Sequence, residues 1–219
     1  MSSKHAVLKG ALLILTFEND TLRRKNDVLT EVADLSGRGL VGKIKDAVVV
    51  PGKVGNGLEL GDGRNFKVAG DFPMGKEPRT MAVWLKQTEA NRSGCALFYG
   101  KVTDASGFGI YGGNVWKFVG WGKATTVSTN LQVDTDWHHH CVTYDGREVR
   151  YYFDARMVAE QSIDLDTGPG SLISGGSVNI FHGVIDEVAL FDRALPADEV
   201  QQLYRMGVDG ESLARLPSR

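Results

Sequence analysis

Residues 181–195 read Phe181-His182-Gly183-Val184-Ile185-Asp186-Glu187-Val188-Ala189-Leu190-Phe191-Asp192-Arg193-Ala194-Leu195. The part from Ile185 to Phe191 is short and almost wholly apolar, and only the adjacent acids Asp186 and Glu187 interrupt it. Runs of this length that are rich in β-branched and aromatic residues are typical of buried strands. The sequence therefore predicts a core strand here.

A short helix is predicted soon after this strand. Val200, Leu203 and Tyr204 recur at helical spacing, and the acids at 198–199 suit the positive end of a helix dipole. Gly207 is expected to end the helix. No long segment before residue 196 shows a 3.6-residue period, so this is the one helix that the pattern supports.

The rest of the chain is dominated by short apolar or alternating runs that Gly, Asp and Asn separate. Many short strands with turn residues between them are typical of an antiparallel sandwich, in which two facing sheets enclose the core. The other predicted strands are Leu12–Phe17, Ala47–Val50, Gly57–Leu60, Met81–Leu85, Ala96–Tyr99, Val115–Val119, Cys141–Tyr144, Val149–Phe153 and Val178–Phe181.

Two hairpin turns can be predicted from local sequence. Asp145 and Gly146 separate two strand runs, and Asp-Gly favours a two-residue turn in which both central residues have positive φ. Asp154 and Ala155 should form the following turn. Since Ala155 stands where glycine would be free of strain, that turn either belongs to another type or is strained.

Composition excludes several classes of protein. The chain has 219 residues with a formal charge of −2 and an isoelectric point of about 6.2, so nothing steers it toward nucleic acid. No apolar run approaches the ~20 residues of a membrane helix, and membrane insertion is not expected. With no linker or repeat, we expect a single domain over 1–219, with a core at about 10–207 and a frayed tail over 208–219.

Two further features of the chain bear on its cellular location. The apolar run at 11–17 suits a strand, and the acids after it lack the cleavage pattern of a signal peptide. Two cysteines, Cys95 and Cys141, are too few for a disulfide framework. A single bridge and two unpaired buried thiols both remain open.

Four stretches together resemble a known family. They are the Asp-Leu-Ser-Gly-Arg-Gly turn at 34–39, Pro-Gly-Lys-Val-Gly-Asn-Gly-Leu at 51–58, the Trp-His-His and Thr-Tyr-Asp-Gly pieces of 137–146, and the stretch 181–195. In this order they are similar to the laminin G-like, concanavalin A-like lectin jelly-roll domains. The resemblance implies an all-β, two-sheet antiparallel sandwich with one short C-terminal helix. It also implies a secreted or cell-surface location.

The resemblance further implies a structural calcium ion that ties the first strand and first turn to the last strand. Calcium prefers six to eight oxygen ligands from carboxylates and carbonyls. Glu18, Asp34 and Asp186 are the corresponding carboxylates here. The alternative is that Asp34 forms an ordinary Asx turn and that Asp186 accepts hydrogen bonds from turn amides or a nearby base.

The run His138–His140 suggests metal binding less strongly. On a strand, His138 and His140 share one face and His139 takes the other. A pair at this spacing binds zinc if a third ligand arrives, and His182 is the other candidate. However, His140 takes a position that is usually apolar, and no second shell is evident. We therefore expect core histidines.

Aromatic residues supply the candidate ligand-binding positions. Trp116 and Trp121 lie in the Gly-rich stretch 107–122, with Tyr111 just before them, and Trp84 lies in a central strand. Aromatic faces stack on the apolar faces of sugar rings, but many aromatics of a sandwich are core. Strand alternation places Trp116 opposite Trp121, so these two cannot line the same groove.

Motifs for catalysis are weak. Glycosidases need a matched pair of carboxylates, and the nearest arrangement, Glu18-Asn19-Asp20, has Arg23 where the last Glu of the laminarinase-like pattern should stand. Gln132 and His138 do not form a lyase pattern, and no nucleophile elbow or phosphate loop is present.

Three functions follow, in this order. The first is a non-catalytic module that binds a glycan or polysaccharide. The second is a protein–protein adhesion or assembly domain. The third is a glycoside hydrolase or lyase with unrecognised catalytic residues, which a groove holding two buried carboxylates with perturbed pKa values would support.

Overall fold

The computed structural model describes residues 7–89, 92–175 and 180–214. In chain order its elements are β1 (Ala11–Leu15), β2 (Leu22–Lys25), β3 (Val28–Ala33), β4 (Val41–Lys45), β5 (Val48–Pro51), β6 (Asn56–Leu60), β7 (Asn65–Val68), β8 (Arg79–Gln87), β9 (Gly94–Gly100), β10 (Gly107–Gly112), β11 (Val115–Val119), β12 (Thr126–Gln132), β13 (Trp137–Tyr144), β14 (Glu148–Phe153), β15 (Arg156–Ser162), β16 (Leu172–Ser174), β17 (Gly183–Phe191) and α1 (Ala197–Val208).

The strands form two antiparallel sheets, as the sequence predicts. Sheet A has the order β15-β14-β13-β8-β17-β6-β5, and β1 also pairs with β17. Sheet B has the order β12-β11-β10-β9-β16-β7-β4-β3-β2. The arrangement is a jelly-roll sandwich, and the main core fills the space between the sheets.

Strand alternation decides which side chains enter this core. In β8, Val83 and Leu85 point inward, while Trp84 points to the outer face of sheet A. In β11, Trp116 and Phe118 point inward. The strand β17 is buried at every position, because one face meets the main core and the other meets α1 and the residues after it.

The predicted helix is confirmed, but its predicted end is wrong. Helix α1 continues through Gly207 to Val208, and Asp209 is its C-cap. Gly207 is buried inside the helix against Trp84. A glycine is needed there for close approach, and the turn out of the helix falls instead at Gly210, where φ is 70°.

The expectation of a frayed tail is wrong for residues 209–214. The Ser212 hydroxyl donates a hydrogen bond of 2.6 Å to Glu187, and the Leu213 N–H donates another of 2.6 Å. Both residues are buried. A buried carboxylate in β17 therefore anchors the chain after α1, and residues 215–219 lie outside the described part.

The two predicted hairpin turns form with different geometries. Asp145 does not have positive φ, and its carboxylate accepts hydrogen bonds from the N–H groups of Arg147 and Glu148. Its own N–H donates to the Glu148 carbonyl at 3.3 Å, so the central residues of the turn are Gly146 and Arg147, one position later than expected. Asp154 and Ala155 have φ of 48° and 62°. This is the strained alternative, since both are non-glycine residues in the left-handed region.

The strand prediction fails in one place and omits several strands. No strand forms at Ile180–Phe181, where Ile180 makes only an isolated bridge to Cys95, and Val178 lies outside the described residues. Strands with charged residues on one face, such as β4 and β7, are not predicted. Cys95 and Cys141 are buried free thiols. Among the described residues, no helix has the length and apolar character needed to cross a bilayer.

Candidate functional site

An open depression of about 290 Å³ lies on the outer face of sheet B. It is lined by Tyr111, Lys117, Val119, Trp121, Gly122 and Thr126. We call it the aromatic depression. It brings together two of the four predicted ligand-binding aromatics, Tyr111 and Trp121, and both are half-buried with part of each ring open to solvent. Sequence reasoning missed Lys117 and Thr126.

The register of three strands builds this depression. Tyr111 of β10 pairs with Lys117 of β11, and Val119 pairs with Thr126 of β12. Because side chains alternate along a strand, these positions all point away from the core while Trp116 points into it. The expectation that Trp116 and Trp121 face opposite ways is confirmed.

Phe98 supports the depression from below. Its ring lies beside Gly107 and Gly109. An added Cβ would lie 2.8 Å from Phe98 Cζ at Gly107, with Cε2 closer still, and 2.8 Å from Phe98 Cδ2 at Gly109. Trp121 meets Phe98 edge-on, with 5.3 Å between ring centroids. The two glycines thus leave room for the Phe98 ring on the outer face of the sheet. Phe98 in turn packs against the Trp121 ring.

Trp121 has an unusual backbone conformation, with φ of 66°. Bulky residues rarely occupy this left-handed region, and such strain collects at ligand sites. The Thr126 hydroxyl donates to the carbonyl of Gly122 at 2.7 Å and so fixes the rim beside the tryptophan. The rim is thus fixed by this hydrogen bond on one side of Trp121, and the ring itself packs against Phe98.

The other two predicted aromatics are buried. Trp116 is 2% exposed and packs against His140 at 4.2 Å between ring centroids. Trp84 is 3% exposed because α1 covers it. Neither of these two predicted ligand-binding rings offers a face to solvent in this structure.

Of the three predicted calcium ligands, Glu18 and Asp186 meet at the loop 52–56. Glu18 accepts hydrogen bonds from the backbone N–H and the side-chain amide of Asn56, at 3.2 and 3.3 Å. Asp186 accepts one at Oδ2 from the Val54 N–H, at 2.9 Å, and one at Oδ1 from the Glu187 N–H, at 2.8 Å. Each of these carboxylate oxygens has a lone pair left over.

Two glycines of the same loop allow both acids to approach it. An added Cβ at Gly52 would lie 2.6 Å from Asp186 Oδ2, and one at Gly55 would lie 2.7 Å from Glu18 Cδ. Burial, together with the charges of Glu187 and Glu18, raises the pKa of Asp186 to about 9. A cation held between these carboxylates would remove that repulsion.

Asp34 does not join this pair. Its Oδ1 accepts hydrogen bonds from the N–H groups of Ile14 and Ser36, and its Oδ2 accepts from the Ser36 hydroxyl and the Leu40 N–H. Four hydrogen bonds fill both oxygens, so Asp34 is the Asx turn of the alternative prediction. Across residues 7–89, 92–175 and 180–214, no three His, Cys, Asp or Glu side chains cluster to hold a metal.

The histidines of the run 138–140 hydrogen-bond to or pack against neighbouring side chains of the protein. His138 lies between Asp154, at 2.7 Å, and Asp134, at 3.1 Å. Burial lowers the pKa of His138, but the hydrogen bond and charge of Asp154 outweigh it, and the net shift is upward. His140 is buried beside the Tyr151 hydroxyl at 2.8 Å.

His139 packs on the outer side of sheet A, against Trp84. Burial lowers its pKa to about 4. Burial also lowers the pKa of His140, which shares a strand face with His138, so the partners of each ring and not strand alternation decide these directions. His182 lies 3.2 Å from Asp62 and does not complete a zinc site with them among the described residues.

Two adjacent buried acids have perturbed pKa values, but no groove reaches them. Burial raises the pKa of Glu187 to about 7, beside Asp186 at about 9. The space next to Glu187 under α1 is about 10 Å³, room for one water molecule at most. In the described part of the chain, the groove that would support the hydrolase hypothesis is therefore not formed at these carboxylates.

A second concavity, of about 450 Å³, lies elsewhere on the surface. Its walls include Arg38, Asp71, Glu77 and the exposed Met74, whose side chain is 48% accessible. It carries both signs of charge and has an apolar patch. Sequence reasoning did not identify it.

The sequence profile of the concanavalin A-like lectin/glucanases superfamily matches residues 55–201. The chain belongs to this superfamily. No curated protein matches the sequence significantly.

Three solved structures share the fold. The binding domain of Paraclostridial Mosquitocidal Protein 1 is 17% identical with a TM-score of 0.69, and the match covers 90% of this chain and 52% of that one. Domain 4 of AbnA, a GH43 extracellular arabinanase from Geobacillus stearothermophilus solved with arabinotriose, is 18% identical with a TM-score of 0.69, covering 89% and 98%.

The third is the binding domain of botulinum neurotoxin DC in complex with rat synaptotagmin II. It is 14% identical with a TM-score of 0.64, and the match covers 92% of this chain and 52% of that one. This chain thus spans about half of each toxin binding domain and nearly all of the arabinanase domain. At these identities the likeness shows the fold.

Proposed function

We propose that this protein is a non-catalytic module that binds a glycan or polysaccharide at the aromatic depression. The observation that carries the proposal is the pairing of Tyr111 and Trp121 at the rim of one open concavity on the outer face of sheet B. A binding site needs an apolar surface with a few placed polar groups, and Lys117 and Thr126 supply the polar groups here.

The chemistry of the depression suits a sugar. Sugar rings have an apolar C–H face that stacks on an aromatic ring and hydroxyls at the edge that need hydrogen bonds. The Tyr111 hydroxyl and the Lys117 ammonium can provide those bonds. The arabinanase domain solved with arabinotriose shows that this fold can carry a sugar in another protein.

A structural calcium ion is a second part of the proposal. Glu18 and Asp186 would hold it together with carbonyls of the loop 52–56, and Asp34 would not. The fit is supported by the open lone pairs of both carboxylates and by the raised pKa of Asp186, because a cation would favour the ionised form. The ion would supply a cross-link between the chain after β1 and strand β17.

A location outside the cell, secreted or on the cell surface, goes with this function. The arabinanase whose domain shares the fold is described as extracellular. Detection of the native protein in culture medium or on intact cells would test the location, and its retention inside intact cells would contradict it.

Affinity electrophoresis through gels that contain one polysaccharide each tests the glycan proposal. Arabinan, galactan, xylan, mixed-linkage glucan and polygalacturonate form the panel. We expect at least one to retard the protein. Trp121→Ala should weaken that binding about tenfold or more, the loss of ~1.4 kcal/mol that one stacked ring provides.

Met74→Ala, in the second concavity, is the matched control and should bind like the parent protein. Thermal unfolding of both variants shows whether the fold is kept. If no polysaccharide retards the protein, or if Trp121→Ala binds as tightly as the parent, the proposal fails.

A protein partner is the second candidate function. The observation that favours it is the 450 Å³ concavity with the exposed Met74 beside charged side chains, since apolar surface with a polar rim is typical of interfaces. Loss of binding to a captured partner by Met74→Ala, without loss by Trp121→Ala, would support it.

A further inference from the structure

We propose that the glycan bound at the aromatic depression is acidic, and that its chain extends across sheet B to lysines on β7 and β4. This inference rests on the proposed function. It names the chemical class of the ligand and a second contact region, which we call the lysine region: Lys43, Lys45 and Lys67.

Strand register connects the two regions in one straight row. Neighbouring pairs run across the outer face in the order Val119, Gly109, Phe98, Ile173, Lys67 and Lys43. Four strand steps separate β11 from β7, which at ~4.8 Å per step is about 19 Å. A ligand that reaches both regions must be longer than one sugar ring.

The residues of the row between the two regions are apolar or lack a side chain. Gly109 and Phe98 are buried, with Phe98 3% exposed and packed against Trp121, and Ile173 is half-buried next to Lys67. No bulky polar side chain interrupts this row. An extended chain can therefore lie along it and keep contact at both ends.

Two positive charges of the lysine region repel one another across neighbouring strands. Lys43 and Lys67 are directly opposite in the antiparallel pair of β4 and β7, and like charges at this position are unfavourable. Glu31 forms an ion pair with Lys43. Among the described residues Lys67 has no ion-pair partner, and exposed Lys45 lies two residues further along the same face.

An anionic group over this face would remove the repulsion. Lysine ammonium groups donate to carboxylate or sulfate oxygens, and Lys117 adds a fourth lysine, beside the aromatic depression. The whole chain has a formal charge of −2, so the positive charge is local. A sugar chain that carries acids, and not a polyanion of any kind, fits a charged region joined to a stacking region.

Two pairs of polysaccharides, each matched except for charge, test this inference. One pair is polygalacturonate and its methyl ester, and the other is dextran sulfate and dextran. Binding is measured by affinity electrophoresis at two salt concentrations. We expect the acidic member of at least one pair to bind at least tenfold more tightly than its neutral partner, with a difference that shrinks as salt rises.

Lys67→Gln should reduce binding of the acidic polysaccharide by roughly three- to tenfold, as for one exposed charge-assisted hydrogen bond, and leave binding of neutral sugars unchanged. Lys9→Gln is the control. It removes the same charge, but Lys9 is exposed near α1 on the sheet A side, away from the lysine region. It should bind like the parent. Equal binding of neutral and acidic members, or no effect of Lys67→Gln, would overturn the inference.

Trp121→Ala distinguishes failure of the glycan proposal from failure of the inference that the glycan is acidic. If it abolishes binding of neutral and acidic sugars alike while Lys67→Gln has no effect, the glycan proposal stands and the acidic inference fails. If acidic polymers and single-stranded DNA bind equally and Trp121→Ala changes neither, the face is a general polyanion surface, and both fail.

Discussion

Gly207 of helix α1 lies directly against the indole ring of Trp84 in strand β8. A Cβ at Gly207 would come within 2.5 Å of Trp84 Cε2 and closer still to Nε1. One turn earlier in the same helix, Tyr204 stacks on the same indole at 5.6 Å between centroids, with 20° between the ring planes. The helix approaches sheet A this closely only because position 207 has no side chain.

Gly207→Ala is expected to destabilise the protein. In an exposed helix interior this change stabilises by about 1 kcal/mol, through better helix propensity. Here the added methyl must displace a packed indole, and overpacking costs about 1–3 kcal/mol. Chemical denaturation of the variant should show a lower midpoint.

Gln201→Ala tests the helix without the contact, because Gln201 is exposed in α1. It should leave the midpoint unchanged or raise it slightly. An equal or higher midpoint for Gly207→Ala would mean that the helix does not pack as closely on Trp84 as described.

Ala155→Gly is expected to stabilise the protein by about 1 kcal/mol. Ala155 has φ of 62° in the turn between β14 and β15, and the left-handed conformation costs a non-glycine residue roughly 1–2 kcal/mol. Part of that gain is lost to the greater freedom of glycine in the unfolded chain. The measurement is the free energy of unfolding from urea titration.

Ala159→Gly is the matched control for this prediction. Ala159 lies in β15 outside the left-handed region, so glycine there should destabilise by at least about 0.5–1 kcal/mol. If both variants were destabilised alike, the strain assigned to the turn would be absent.

Calcium is expected to raise the thermal unfolding temperature of chelator-treated protein by several degrees, since a ligand of the native state stabilises it by mass action. The shift should grow between pH 5 and pH 8. Calcium must bind ionised Asp186, whose pKa is raised to about 9 by burial, so protons compete with the metal at lower pH.

Variants of the three predicted ligands separate the roles of these acids. Glu18→Gln should abolish the calcium shift. Asp34→Asn should lower the unfolding temperature without calcium, because it breaks a four-bond turn, yet keep the shift on calcium addition. A shift that survives Glu18→Gln, or vanishes with Asp34→Asn in folded protein, would contradict the two-carboxylate arrangement.

Glu187→Gln is expected to flatten the pH dependence of stability between pH 4.5 and about 7. Burial raises the pKa of Glu187 from 4.5 to about 7. An acid with a raised folded-state pKa contributes stability that is full below pH 4.5 and is lost as pH rises toward 7. Glutamine removes that loss, so the variant should gain stability relative to the parent as pH rises through this window.

His139 changes stability with pH in the opposite direction to Glu187. The quantity to compare is therefore the stability of the variant minus that of the parent at each pH. Its pKa is lowered to about 4, and the stability it contributes is lost as pH falls from 6.5 toward 4. Subtracting the parent curve cancels this contribution. Exposed Asp20→Asn is the control and should follow the parent curve; a Glu187→Gln curve parallel to the parent would show that Glu187 is not buried as described.

Local sequence was sufficient to predict many of the strands and the helix. Apolar strands such as β8, β11 and β17, and the helix, follow from periodicity alone, because a strand or helix buried on a core leaves a hydrophobic pattern in the residues themselves. The strands β4 and β7 leave a weaker pattern. Their outer faces carry lysines, and their burial depends on a partner sheet that the local sequence does not specify.

The candidate site, too, was predicted from the sequence only in part. The period of two expected for a strand predicted from sequence that Trp116 and Trp121 point to opposite faces, although β11 itself ends at Val119. Only the tertiary structure decided which of them is outside, that α1 covers Trp84, that Asp34 is fully used by its own turn, and that Lys67 stands in line with Phe98. These facts depend on contacts between residues far apart in the chain, and no local pattern encodes such contacts.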